Sequence, residues 1–295
     1  MPLDTLQEQV VALLCKSRSP KSHFAGGLVL QRDGNRLSDD QDIFHDHDLD
    51  VRSVADMDAS ILENANFVVT FTRTYEGFVE ALVGNESMGQ TKVQWVSSGS
   101  WNFFTAVPDE LFGWRLHFAD LAINKALASG GRHELKDFID LQMINKQIMP
   151  LWHAIWAAPG KDAEWTPSSL ANMMARQCGF PPAAINEVCS LEPVDIGQTC
   201  RDVRQALSEA AEAFKRLPPS TAGKLFVDRK GRVINDLDRI CSHGVGVTAL
   251  EAKSGGAWPS GPEIDRELLL RYVKEAEAAR KNVAQAENDG PVMGL

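Results

Sequence analysis

The chain has 295 residues, 44% of them hydrophobic, and its 40 acidic against 30 basic side chains give a formal net charge of −10 and a pI near 5.2. That length and apolar content support a sizeable core and two domains, a compact α/β part followed by a helical part. The acidic balance excludes a protein that coats nucleic acid by general electrostatics, because phosphate contacts need clustered Lys and Arg; a local basic patch stays open.

In chain order, apolar residues at Leu3, Leu6, Val10, Leu13 and Leu14 predict a helix from Leu3 to Cys15 with one face on a sheet. Its acidic start lacks the basic, then apolar, order of a signal peptide, and no apolar run reaches about 18 residues, so a cytoplasmic protein without a membrane segment is expected. Phe24–Gln31 reads as a first strand or the turn leaving it, and Arg32-Asp33-Gly34-Asn35 as a hairpin-type turn. Leu37–Phe44 then reads as a second, antiparallel strand. This pairing brings Gly26 and Gly27 beside Asp40 and Asp42. The two aspartates alternate, which on a strand puts both carboxylates on one face about 7 Å apart. Such a pair repels unless a cation lies between, and hard oxygen ligands suit Mg²⁺ or Mn²⁺, whose remaining positions water and phosphate oxygens fill. Glycines suit the facing position because a phosphate can approach their N–H groups where no Cβ intervenes.

The following run His45-Asp46-His47-Asp48-Leu49-Asp50 begins like a metal-binding His-x-His but lacks the continuation such sites use, and is expected to be a solvated loop. Met57–Asn64 predicts a short helix; Phe67–Thr72, Gly77–Val83 and Lys92–Val96 predict strands, for a mixed sheet of four or five. Ala119–Ser129 is helical, with Gly130-Gly131 as its stop and Glu134 opening the next helix. Helices are expected over Gln147–Ala158, Ser168–Cys178, Pro182–Cys189 and Thr199–Arg216, with Trp152, Trp156 and Trp165 as core. Lys224–Ile234 reads as a hairpin turning at Lys230-Gly231, Ser254–Pro262 as a linker, and Asp265–Glu287 as a charged amphipathic helix before a frayed tail. The five cysteines, Cys15, Cys178, Cys189, Cys200 and Cys241, are odd in number and widely spaced, which predicts thiols and no disulfide frame or zinc site.

Gly26-Gly27, a spacer of twelve residues, then Asp40-Gln41-Asp42 resembles the nucleotidyltransferase signature of the DNA polymerase β superfamily. Arg36-Leu37-Ser38-Asp39-Asp40-Gln41-Asp42-Ile43-Phe44 resembles more closely a segment of the AbiEii/AbiGii toxin family within it. Asp120-Leu121-Ala122 with Lys125, Arg132 and Lys136-Asp137-Phe138-Ile139-Asp140-Leu141 is similar to a second segment of that family. The resemblance covers roughly residues 20–145 by motif. It implies an α+β fold: a nucleotidyltransferase-like mixed sheet flanked by helices over residues 1–115, a helical domain completing the active site over 116–217, and a hairpin, linker and helix over 218–295.

The implied activity moves an NMP from an NTP to a hydroxyl of RNA, such as tRNA, or of protein, in the toxin of a toxin–antitoxin or phage-defence system with a cognate antitoxin. Asp40 and Asp42 would hold Mg²⁺ or Mn²⁺, and Gly26, Gly27, Arg36 and Ser38 would bind nucleotide. Lys125 would offset triphosphate charge, and Asp137 would orient Lys125 or activate the acceptor. The chain departs from the superfamily where a later strand should bring a third carboxylate: Lys92–Val96 offers Gln94, with Glu80 as a substitute. A neutral glutamine can still ligate or hydrogen-bond a metal-bound water. The departure also keeps open an inactive nucleotidyltransferase fold that binds nucleotide or regulates a partner, beside an interaction protein that works through its last helix. Any RNA contact is expected in a patch of Arg115, Lys125, Arg132 and Lys136.

Overall fold

A computed structural model describes residues 3–46, 50–97, 101–242 and 244–257, and Lys274. The first helix, α1 (Thr5–Leu14), starts at a reciprocal cap: the Asp4 carboxylate accepts from Gln7 N at 2.7 Å, and the Gln7 side chain accepts from Asp4 N. The Gln7 amide also donates to the Ser38 carbonyl at 2.6 Å, which ties this helix to the loop before the acidic strand.

Strand β1 (Ser22–Ala25) runs into the short helix α2 (Gly26–Leu30), and after a loop strand β2 (Asp40–His45) returns antiparallel to β1. Helix α3 (Val51–Asn64) leads to the meander β3 (Val68–Tyr75), β4 (Phe78–Asn85) and β5 (Gly89–Ser97). Three short strands follow, β6 (Trp101–Asn102), β7 (Val107–Asp109) and β8 (Gly113–Arg115). The principal sheet is mixed and seven-stranded in the order β3-β4-β5-β2-β1-β8-β7, with β2 parallel to β5 and β1 parallel to β8. It is wider than the sequence suggests because β7 and β8, three residues each, carry no readable alternation.

Period-two alternation sorts β2 cleanly. Gln41, Ile43 and His45 are buried on the face that α1 and α3 cover, where Trp95 Nε1 donates to Asp58 of α3 at 2.8 Å and Arg18 clasps the same carboxylate. Asp40, Asp42 and Phe44 take the other face.

The helices α4 (Phe118–Gly131), α5 (Leu135–Gln147), α6 (Leu151–Ala157), α7 (Pro167–Gln177) and α8 (Ile196–Arg216) follow as a packed group, and their core joins that of the sheet in one apolar cluster. Trp152 and Trp156 are buried in it and Trp165 packs against it. Several boundaries move. Phe24–Gln31 holds the last two residues of a four-residue strand, Ser22–Ala25, and then the helix Gly26–Leu30, so the β1–β2 connection is no tight hairpin. The helix before β3 begins at Val51, because the Asp50 carboxylate caps it, and Gly130 and Gly131 lie inside α4. Residues 182–187 form a 3₁₀ turn, not a helix through Cys189.

Strand β9 (Lys224–Val227) pairs with β10 (Thr248–Glu251), and the expected hairpin is present in reduced form: the Asp228 carboxylate, accepting from Lys230 N and Arg232 N, closes a tight loop, Val227 bridges Val233, and Ile234 N donates to the Phe226 carbonyl at 2.9 Å. Helix α9 (Leu237–Cys241) lies between them and β11 (Lys253–Ser254) pairs with β6. Apart from Lys274, the expected helix at Asp265–Glu287 lies outside the described residues, as do the tail and residues 47–49 of the His-Asp run. Among the described residues no helix is long and apolar enough to cross a membrane.

Candidate active site

At the end of β1 the chain must leave the sheet sharply, and Gly26 does so with φ +69°, a left-handed conformation that side chains disfavour. In register, Ala25 faces Asp42 across the β1–β2 ladder. A Cβ on Gly26 would therefore collide with the Asp42 carboxylate, and one on Gly27 would collide with the Arg36 guanidinium and stand 2.9 Å from Ser38 Oγ. The absence of side chains at this pair is thus what lets Asp42, Arg36 and Ser38 converge on one stretch of backbone. Asp40 precedes Asp42 on the same strand face.

Above this floor, helices α4 and α5 contribute a chain of ion pairs. Arg36 grips Asp140 through Nε at 2.8 Å and a terminal nitrogen at 3.0 Å, and Gln31 donates to the same carboxylate at 2.6 Å. Lys125 Nζ sits 2.8 Å from Asp140 and 2.9 Å from Asp137. Asp137 in turn accepts from Arg132 at 2.7 and 3.0 Å. Asp137 and Asp140 share one face because three residues separate them on α5. Both are fully buried, whereas the Arg132 side chain keeps 48% of its surface exposed. Burial pushes the Asp140 carboxyl up, but Lys125 and Arg36 outweigh it and hold it at about 2. Asp137 is likewise held low against burial by Arg132 and Lys125. For Lys125, burial works downward and Asp140 and Asp137 more than reverse it.

Asp42 behaves in the opposite way. Burial, then its neighbour Asp40, raises it to about 6, and the charges of Lys125, Arg132 and Lys136 offset only part of that rise. An acidic pair short of positive charge, pressed against a backbone without side chains, is a fitting place for Mg²⁺ or Mn²⁺. Among the described residues no three His, Cys, Asp or Glu side chains converge as metal ligands.

Gln94 is the β5 partner of Asp42, and Glu80 is the β4 partner of Gln94, so the three form a row across adjacent strands on one face. Gln94 Nε2 donates to Glu80 Oε2 at 2.8 Å, and Thr72 Oγ1 donates to Glu80 Oε1 at 2.8 Å.

The fold thus gathers Gly26, Gly27, Arg36, Ser38 and Asp42 at the floor and Lys125 and Asp137 above it, with Lys125 and Arg132 close enough to act on Asp42 electrostatically. Arg36 is only 3% exposed and spends its guanidinium on Asp140 and the Leu37 carbonyl, so it braces the site and does not reach into it. Asp140, named only as part of the second motif, is the residue whose role sequence reasoning passed over. Arg115 leaves the expected basic patch, since it is buried with its guanidinium 2.8 Å from Asp109. Lys125 is also largely enclosed, which leaves Arg132 and Lys136 as the exposed cations of the four. His45 points into the α1–α3 face, away from the aspartate pair. All five cysteines are free thiols.

No family model and no curated protein matches the chain. Among solved structures it is similar to MenT4, a nucleotidyltransferase toxin from Mycobacterium tuberculosis, at 13% identity and a TM-score of 0.41, over 70% of this chain and 82% of that one.

Proposed function

We propose that the protein is a nucleotidyltransferase that moves an NMP from an NTP to a hydroxyl of RNA, such as tRNA, or of protein, using Mg²⁺ or Mn²⁺ held by Asp40 and Asp42. The observation that carries this reading is the under-neutralised Asp42, seated against Gly26 and facing the cations of α4 and α5. When bound there, the metal would supply Lewis-acid stabilisation of the triphosphate oxygens.

The chain's own groups do the rest. The Gly26 and Gly27 backbone and Ser38 Oγ line the floor on which phosphate oxygens rest. Lys125, with two of its donors on Asp137 and Asp140, is held rigidly toward the site and offsets charge that builds on the leaving pyrophosphate, joined by the exposed Arg132 and Lys136. Asp137 orients Lys125 and Arg132. Both its oxygens are engaged and its acidity is increased, which suits a strut and not a base. In transfer the acceptor oxygen forms a bond to the α-phosphorus, the bond to the bridging oxygen breaks, pyrophosphate departs, and the hydroxyl proton passes to solvent.

The same reading implies work in the cytoplasm, where NTPs are available, and, for a protein acting as the toxin of a toxin–antitoxin or phage-defence system, a cognate antitoxin as partner. Gln94 at the third position favours a second reading, a fold that binds nucleotide without transferring it. Incubation with each α-labelled NTP, Mg²⁺ and total RNA, beside Asp42→Asn, separates the two. Label entering the RNA or the protein fraction from one NTP, and lost in the variant, is the expected result; nucleotide binding without label transfer would overturn transfer in favour of the second reading.

A further inference from the structure

We infer that Glu80 is a positioning residue that fixes the Gln94 amide with its carbonyl oxygen toward the Asp40–Asp42 pair, making Gln94 a neutral third oxygen donor to the metal or its water shell. This rests on the metal-site reading above. Gln94 sits between two acidic rungs of one sheet face, Asp42 on β2 and Glu80 on β4. A primary amide placed between two carboxylates must choose which receives its NH₂ group, since an ionised carboxylate can only accept. The choice is made by Glu80: Gln94 Nε2 lies 2.8 Å from Oε2, while Thr72 Oγ1 donates at 2.8 Å to Oε1 and Arg73 Nε stands 3.6 Å from it.

With its NH₂ turned to β4, the trigonal amide carries Oε1 to the side on which Asp42 is its strand partner. Thr72 and Arg73 keep Glu80 an acceptor, and burial of Glu80 excludes the water that could replace Gln94. An unconstrained glutamine could instead present NH₂ to the aspartates, satisfying them by hydrogen bonding and competing with a cation. The row Glu80–Gln94–Asp42 therefore selects for metal over self-satisfaction, and does so with an uncharged oxygen that accepts a hydrogen bond but takes up no proton at neutral pH.

The test is Mn²⁺ binding measured by loss of the free-ion electron paramagnetic resonance signal, with no turnover required, on wild type, Asp42→Asn, Glu80→Gln and the exchanged pair Glu80→Gln with Gln94→Glu. Thermal unfolding confirms that each is folded. In Glu80→Gln the amide loses its fixed polarity, and affinity should fall roughly tenfold, the scale seen when the partner that orients a metal ligand is removed. The exchanged pair keeps a carboxylate–amide hydrogen bond between the same strands, yet presents a charged oxygen to the metal, and should bind more tightly than wild type. A strut with no bearing on the metal would leave both affinities at the wild-type value while Asp42→Asn loses binding, and that result overturns the inference alone. If Asp42→Asn binds Mn²⁺ as wild type does, the metal site itself is refuted.

Discussion

Asp42→Asn should make the metal-free protein more stable while removing its proposed activity. The wild-type carboxyl is carried from 3.8 to about 6 by burial and by Asp40. A group whose folded pKa is raised contributes stability that is complete below the unfolded pKa and lost as pH rises through the folded one. Ionised Asp42 therefore burdens the native state by about 3 kcal/mol at pH 8 and by roughly half as much at pH 5. Asparagine has the shape of the protonated acid and carries no charge at any pH, so it escapes this penalty. The assay is urea unfolding in EDTA across pH 5 to 8.5. The variant should exceed wild type by a margin that widens with pH by about 1–2 kcal/mol between pH 5 and 8, and its Tm at pH 8 should rise by roughly 5 °C. Mg²⁺ with an NTP should narrow the gap, because it supplies to wild type the charge the apo site lacks. A variant less stable than wild type at pH 8, or a margin independent of pH, would refute the account of Asp42 as an under-neutralised acid.

Two further predictions concern the charges around it. Asp140→Asn leaves Arg36 and Lys125, both enclosed, short of a full carboxylate, and should lower stability by about 3–5 kcal/mol in a urea titration. Lys125→Met should cost less, about 1–3 kcal/mol, because Asp137 keeps Arg132 and Asp140 keeps Arg36, yet should abolish label transfer; equal losses for the two variants would contradict the chain of pairs drawn here. Three buried histidines set the acid limit. Burial lowers His45 and His153 to about 3 and His23 to about 4. Their stabilisation is present above pH 6.5 and is lost as pH falls toward 4, and His153 Nε2 already accepts from Phe226 N, which protonation would forbid. In the Asp42→Asn background, where the opposing slope is gone, the urea midpoint should fall steadily from pH 6.5 to 4.5; a flat profile would be inconsistent with neutral, enclosed rings.

The aspartate pair and its glycines were legible because their logic is local. Alternation puts Asp40 and Asp42 on one strand face, and only a backbone without Cβ can lie against the carboxylate. The fold's α+β character and a strand carrying Gln94 followed from strand-length runs; that this strand lies parallel beside the aspartate strand, with Gln94 opposite Asp42, shows only in the structure. Helix α2 was not legible: Gly-Gly-Leu-Val-Leu reads as a strand continuing β1, and it is the contact with β2 and α4, not propensity, that coils it. Strands β7 and β8 are too short to carry a period. Asp140 was hidden for another reason. Its meaning depends on Arg36, 104 residues away, and no local pattern announces that a helix aspartate will be buried against a loop arginine.

The two acidic groups of the site, so different in their fates, explain why the sequence spends so many charges in one place. Asp137 and Asp140 are closed off by Arg36, Lys125 and Arg132, and the result is a rigid bracket with its acids firmly ionised. Such a bracket adds little net stability over an apolar core of equal volume, since desolvation consumes most of what the pairing returns. What it does provide is Lys125 held in one position, two donors committed to carboxylates and its charge felt at Asp42. Had Lys125 bonded Asp42 directly, the aspartate would be neutralised and closed to a cation. By answering Lys125 with Asp137 and Asp140, the fold keeps its positive field near the aspartate pair without quenching that pair, which is the arrangement the proposed metal–triphosphate site needs: carboxylates on the sheet toward the cation and a lysine on the helix above it toward the phosphates.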